Sequence, residues 1–268
     1  MSRWLPETLC VALGPARVTL MRRPWGLRRA VARPRTVAAA PGAPANWHGA
    51  LAALNGALAE EAAFRTDATV ILSNFFVRYT LLPWSGSLGS QSEWDSYAVH
   101  RFASIHGAAA PADIRVSPAP KGMPRLASAV DPALIRSLVA AFEHSRVRLR
   151  SIQPWLMAAL NPLVARLPGE AHWLVLREPG LVTLGLMRQG RLHHLRLRQF
   201  DPASGQSLAD VITREARMMA LEDLPSRVAT AWIDDPAGLF AAGASLRVQD
   251  LAALARAGPD EPRLAAVH

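Results

Sequence analysis

One cysteine, Cys10, and one lysine, Lys121, occur in 268 residues. A lone cysteine excludes an intramolecular disulfide. Its place inside the apolar run TLCVALG marks it as core packing, and a reducing cytoplasmic compartment is the expected setting. Long apolar runs are missing too. A bilayer-spanning helix needs about 20 apolar residues, and the stretch IQPWLMAALNPLVA is shorter and interrupted by prolines. TLCVALG is short for a signal peptide and runs on into a strand pattern, so a chain that is not exported is expected. Charge is sparse at 19% and half of the residues are hydrophobic, which excludes a disordered chain and predicts a sizeable core.

Several catalytic constellations are also missing. His193 and His194 are neighbours on an expected strand, so their side chains point to opposite faces and do not converge on a metal. His100 and His106 lie six residues apart on an expected helix and do not converge either. SGSLGS has the composition of a serine-nucleophile elbow but not the strand-turn-helix context, and reads as a hinge. Asp234-Asp235 follows an expected strand, but the first strand offers Ala12 and Leu13 where a two-metal nuclease places its leading acid. That acidic pair reads as turn chemistry before Pro236. No catalytic residue and no metal ligand is assigned.

What is abundant is arginine. The formal net charge is +9, carried by 30 basic against 21 acidic residues. The arginines cluster at Arg22, Arg23, Arg28, Arg29, Arg33 and Arg35, and again at Arg191, Arg196 and Arg198. Attraction to nucleic acid or to an anionic membrane is one reading; arginine- and alanine-rich coding is the other. The clusters lack the interleaved aromatics that stack on single-stranded bases, so nucleic acid is not the favoured partner.

Periodicity gives the order of elements. Strands are expected at about 8–14, 17–23 and 27–39, a helix at 47–62 with Trp47, Leu51, Leu54 and Leu58 as its stripe, then strands at ATVILS and FFVRYTLLPW. A helix over 93–106 carries Trp94, Ala98, Phe102 and Ile105, and short strands follow at 112–117 and 124–130. Asp131-Pro132 is a cap followed by a first-turn proline, opening a helix faced by Leu134, Ile135, Leu138, Val139 and Phe142. After the strand VRLRSI, Pro154 is expected to open a further helix. AHWLVLRE, LVTLGLMRQ and RLHHLRLRQF are three more strands, joined by turns at Pro179-Gly180 and Gln189-Gly190. Ser207 and Asp210 begin a helix reaching about Glu222, RVATAWI is the next strand, and a loop, a short strand and a helix reach Ala257.

Strand-strand-strand-helix-strand therefore occurs twice, from near Leu9 and from near His172. This is the core order of a ribonuclease H-like half, and two such halves make an actin-like fold. The expected class is α/β, with two ribonuclease H-like halves of mixed sheet, flanking helices and an inserted small subdomain. The first half covers 1–165 with the insertion at about 75–130; the second, truncated half covers 166–268.

With that order in place, four stretches carry a family resemblance. VALGPARVTLMRR resembles a first phosphate hairpin, and ILSNFFVRYTLLPW the strand pair leading into an inserted subdomain. VLREPGLVTLGLMRQGRL resembles a second phosphate hairpin, and GLFAAGAS a glycine-rich nucleoside loop. The chain resembles the actin-like pilus and secretion assembly proteins, of the PilM and GspL cytoplasmic-domain type. The resemblance implies a groove beside the inserted subdomain that accepts the N-terminal tail of a small bitopic inner-membrane partner. Trp84 and Trp94 flank the glycine-serine loop there with Arg78 just before, and these three are the expected partner-binding residues.

Nucleotide binders of that family need an aspartate two residues before the hairpin glycine, and amides and hydroxyls in the turn. Here the first position is Ala12, Pro15 removes an amide and Ala16 brings no hydroxyl. In the second hairpin Leu176 or Arg177 stands at the acid's place, Glu178 is out of register and Pro179 removes an amide. Ala241-Ala242 replaces paired glycines in the third loop. The loops at Gly14, Gly180 and Gly243 are thus read as vestigial, with neither ATP nor magnesium expected. The resulting expectation is a cytoplasmic pseudo-ATPase scaffold, peripheral at an inner membrane, in a type IV pilus-like or type II secretion-like platform. Weak attraction of the arginine-rich hairpins to anionic lipid is expected besides, and a homodimer stays open. The alternatives are an actin-like ATPase with atypical phosphate loops and a basic nucleic-acid-binding protein.

Overall fold

The computed structural model describes residues 7–24, 34–40, 42, 46–61, 66–107, 112–163, 170–220, 225–232 and 247–252. The chain divides into two compact units, Met1–Ala158 and Ala159–His268.

In the first unit the elements run β1 (Glu7–Leu13), β2 (Arg17–Pro24), β3 (Arg35–Ala38), α1 (His48–Glu60) and β4 (Thr66–Leu72). A 3-10 turn at Asn74–Phe76 leads into β5 (Val77–Leu82), α2 (Gln91–His106), β6 (Asp113–Val116) and β7 (Arg125–Val130). Then come α3 (Pro132–Glu143), β8 (Val147–Pro154) and α4 (Trp155–Leu163). The main sheet has the order β3-β2-β1-β4-β8, with β1 antiparallel to β2 and parallel to β4.

Because strand side chains alternate, one face of this sheet collects Leu9, Val11, Leu13, Val18, Leu20, Ala68, Val70 and Leu72. That face is roofed by Leu54 and Leu58 of α1 and by Leu134, Leu138 and Phe142 of α3, residues three or four apart on their helices. α3 starts where the sequence places it. Asp131 Oδ1 accepts from the Ala133 amide at 2.8 Å, and Asp131 Oδ2 accepts the Trp47 indole N–H at 3.1 Å. One carboxylate thus caps α3 and ties it to the start of α1.

The insertion is a small layer of its own. β7 lies between β5 and β6, antiparallel to both. α2 packs on it through Trp94, Ala98 and Phe102 against Leu82, Ala127 and Ala129. α2 begins at Gln91, earlier than expected, because Ser90 and Glu93 form a reciprocal capping box.

The second unit holds β9 (His172–Glu178), β10 (Gly180–Arg188), β11 (Arg191–Phe200), α5 (Leu208–Met218), β12 (Arg227–Trp232) and β13 (Arg247–Asp250). Its sheet order is β11-β10-β9-β12-β13, with β9 antiparallel to β10 and parallel to β12. This repeats β3-β2-β1-β4 strand for strand. The fifth strands differ: β8 is parallel to β4, whereas β13 is antiparallel to β12.

Three boundaries depart from the sequence reading. Of the strand expected over 27–39, Arg35–Ala38 is described as strand, and 25–33 lie outside the described residues. Pro154 is the last residue of β8, and the expected helix opens directly after it at Trp155. α5 stops at Met218, short of Glu222, as Ala220 turns to a φ of +50°.

Candidate functional site

The first hairpin joins β1 to β2 through Gly14, Pro15 and Ala16. The Gly14 amide donates to the Arg17 carbonyl at 3.0 Å, and the Ala16 carbonyl accepts from Ala39 at 2.9 Å. The Gly14 amide is therefore committed within the hairpin, and proline has none to offer. Ala12 is buried at the position where an acid would face a metal, opposite Thr19, whose hydroxyl meets that of Thr36 at 3.2 Å.

The second hairpin is tighter. Glu178 pairs with Leu181, so Pro179-Gly180 is a two-residue turn, and Gly180 has a φ of +83°. Proline first and a left-handed glycine second is the pattern of a type II turn. Such a turn has one amide of its own to present, that of Gly180. Arg177 is buried, its guanidinium lying 5.1 Å from the centre of the Phe200 ring. Arg177 shares the α5 side of β9 with Trp173 and Val175, whereas Glu178, two positions before Gly180, is buried on the other face, the side that Ala12 takes in β1. Ala241, Ala242 and Gly243, like Asp234-Asp235, lie outside the described residues. Among the described residues no group of three His, Cys, Asp or Glu gathers as metal ligands.

The inserted subdomain separates the three expected partner contacts. Trp84 is 44% exposed, just after β5, and the edge of its ring covers Gly86. Arg78 is exposed on β5, opposite Ala129, hence on the α2 side of the small sheet. Trp94 lies in the subdomain core, edge-on to Tyr97, with the Arg125 guanidinium 4.6 Å above its ring. Arg78 near the start of β5 and Trp84 just beyond its end are both exposed, while Trp94 belongs to the subdomain core. Among the described strands β5 pairs with β7 alone, so its other edge carries no strand partner. The loop expected to act as a hinge is pinned. Glu93 accepts from the Gly89 and Ser90 amides at 2.8 and 2.7 Å, and these bonds, with that from the Ser90 hydroxyl, hold its carboxyl below the ordinary range.

The arginine clusters are partly neutralised. Arg22 Nε donates to Glu61 at 3.0 Å, and Arg35 pairs with Glu60. In the second unit the pairing centres on a residue that sequence reading missed, Glu215 of α5, which is 2% exposed. Oε1 accepts from His194 Nε2 at 2.8 Å and lies 3.5 Å from Arg196 Nε; Oε2 accepts from Arg198 Nη2 at 3.0 Å. Burial pushes the Glu215 carboxyl up, but the bonds from His194 and Arg198 outweigh it and hold the pKa below 4.5. Beyond the irregularity at His193 the strand alternates regularly, so His194, Arg196 and Arg198 share the α5 face. The available signal was a period-two row of cations opposite a glutamate on a helix whose other inward residues are apolar.

The chain's sequence matches no protein-family model and no curated protein. Its fold does have solved relatives. A PilM–PilN type IV pilus biogenesis complex matches with a TM-score of 0.54 at 17% identity, covering 82% of this chain and 67% of that one. The cytoplasmic domain of EpsL, an inner-membrane component of the type II secretion system of Vibrio cholerae, gives 0.55 at 12% identity, covering 84% and 82%. A Bacteroides thetaiotaomicron protein with an actin-like ATPase fold gives 0.56 at 9% identity, covering 89% and 88%. The chain has the actin-like fold. At these identities the likeness is one of fold, and it agrees with the resemblance read from the hairpins. Within that actin-like frame the two hairpins are β1-β2 and β9-β10, and the inserted subdomain is β5 to β7.

Proposed function

We propose that this chain is a non-catalytic actin-like scaffold. It acts on the cytoplasmic side of an inner membrane, in a type IV pilus-like or type II secretion-like assembly platform. It binds the short tail of a single-span membrane partner, as the PilN component of the matching complex suggests, and turns over no nucleotide.

The observation that carries the reading is the chemistry of the two hairpins. The first presents a buried alanine where a magnesium-triphosphate needs an acid, and a proline removes a turn amide from each. Without a carboxylate at that position of the first hairpin, the charge of an incoming metal is poorly offset there. The inserted subdomain supplies what a tail needs. β5 is six residues long, about 20 Å of edge that no described strand pairs with. An extended peptide can bond along such an edge through its main chain while side chains set specificity. Arg78 and Trp84 are the anchors.

The test is retention of the N-terminal tail of a single-span membrane protein encoded beside this chain. Arg78→Ala with Trp84→Ala should lower tail affinity at least about tenfold with the melting temperature unchanged. Unchanged retention in the folded double variant removes the site. The rival reading, an active ATPase with atypical loops, predicts thermal stabilisation by Mg-ATP.

A further inference from the structure

Glu215 does more than neutralise charge. It is one buried carboxylate facing two guanidiniums that reach solvent: the Arg196 side chain is 50% exposed and that of Arg198 38%, against 3% for Glu215. Arg198 spends Nε and Nη2 on Oε2, and Arg196 directs Nε at Oε1. Nη1 of Arg198 and both Nη of Arg196 take no part in these contacts, and neither arginine enters any other ion pair found among the described residues. An arginine fixed through one side of its fork loses little further freedom when the other side binds. β11 is an edge strand, so nothing in the described sheet lies beyond this row. Met218, 60% exposed, touches Arg198 Nη2 through its sulfur at 3.5 Å, and Arg214, Arg217 and Arg191 are exposed on the same two elements. The nearby acids are occupied: Asp210 caps α5 through Ser207, and Asp201 bonds the turn amide of Ala203.

We infer that the β11–α5 edge of the second unit is a contact surface for an anionic bilayer, with Arg196 and Arg198 held by Glu215 as a clamp for lipid phosphates. Guanidinium forks match phosphate oxygens in pairs. The exposed thioether adds an apolar group at the depth of the headgroups. A protein partner is the less suitable occupant, because neither element presents an exposed aromatic anchor. The inference is independent of the tail-binding reading: it concerns another unit, and its test contains no partner.

The test is flotation of the full chain with vesicles of phosphatidylcholine alone or with phosphatidylglycerol added, at fixed ionic strength. Binding is expected to the mixed vesicles and to be lost at high salt. Arg196→Gln should weaken it about fivefold. Arg136→Gln, an equal charge change on exposed α3 of the first unit, should change it less than about twofold. Glu215→Gln separates a clamp from diffuse attraction. It adds one net positive charge, so diffuse attraction predicts tighter binding, whereas loss of the clamp predicts weaker binding. Melting curves establish that each variant is folded, and Arg196→Gln decides the matter if Glu215→Gln is not. Three outcomes overturn the inference: no preference for the anionic vesicles, equal losses in Arg196→Gln and Arg136→Gln, or tighter binding by folded Glu215→Gln. Retention on immobilised polyglutamate without vesicle binding also overturns it, in favour of an acidic protein.

Discussion

Trp84 and Trp94 stand ten positions apart in the inserted subdomain, one 44% exposed and the other 2%. Both flank the same glycine-serine loop, and composition alone offers either as a contact. Helical phase distinguishes them: Trp94, Ala98 and Phe102 share the stripe that closes on Leu82 and Ala127. Trp94→Ala should therefore destabilise the unit by about 3–5 kcal/mol in denaturant titrations, and Trp84→Ala by less than about 0.5. Glu215 was illegible for the opposite reason. Its cations form a visible period-two row, but which helix residue meets them is a contact across 17 to 21 positions that no local pattern reports. Its pKa is lowered on folding, so its contribution to stability is present above the unfolded value of about 4.5 and is lost as pH falls through the native value. Melting temperature should fall in that acid window. Glu215→Gln should flatten this limb and cost roughly 3 kcal/mol at neutral pH.

At the scale of elements, the start of α3 was the most legible feature. Aspartate followed by proline before an apolar stripe has one common meaning, and Asp131 fulfils it. The second role of Asp131, accepting from the Trp47 indole, is a contact across 84 positions that no local pattern reports. Asp131→Ala should cost about 1–2 kcal/mol through loss of both bonds, and Asp131→Asn, which keeps an acceptor oxygen, distinctly less. The Pro179-Gly180 turn was equally legible, and at a φ of +83° a side chain is strained. Gly180→Ala should cost about 1 kcal/mol without altering any surface used for binding. Ile105 belongs to the expected α2 stripe yet is 48% exposed, because the small sheet is three strands wide and does not reach the last turn.

For the whole molecule, the duplicated strand order was the part of the sequence that carried the fold. Each copy is a run of neighbours paired in sequence, and only the parallel step from β1 to β4, or from β9 to β12, crosses a helix. The fifth strands differ, β8 parallel to β4 and β13 antiparallel to β12, and the repeated order alone does not separate the two. The candidate site was half legible: the missing first acid is read directly at Ala12, whereas the face that Glu178 takes and the separation of Arg78 and Trp84 from Trp94 needed three dimensions. The central claim is that the actin-like frame has been kept and its nucleotide chemistry lost. Isothermal titration of the full chain with Mg-ATP addresses it most directly. The account predicts no saturable heat up to millimolar nucleotide; a micromolar dissociation constant, with magnesium required, would contradict it.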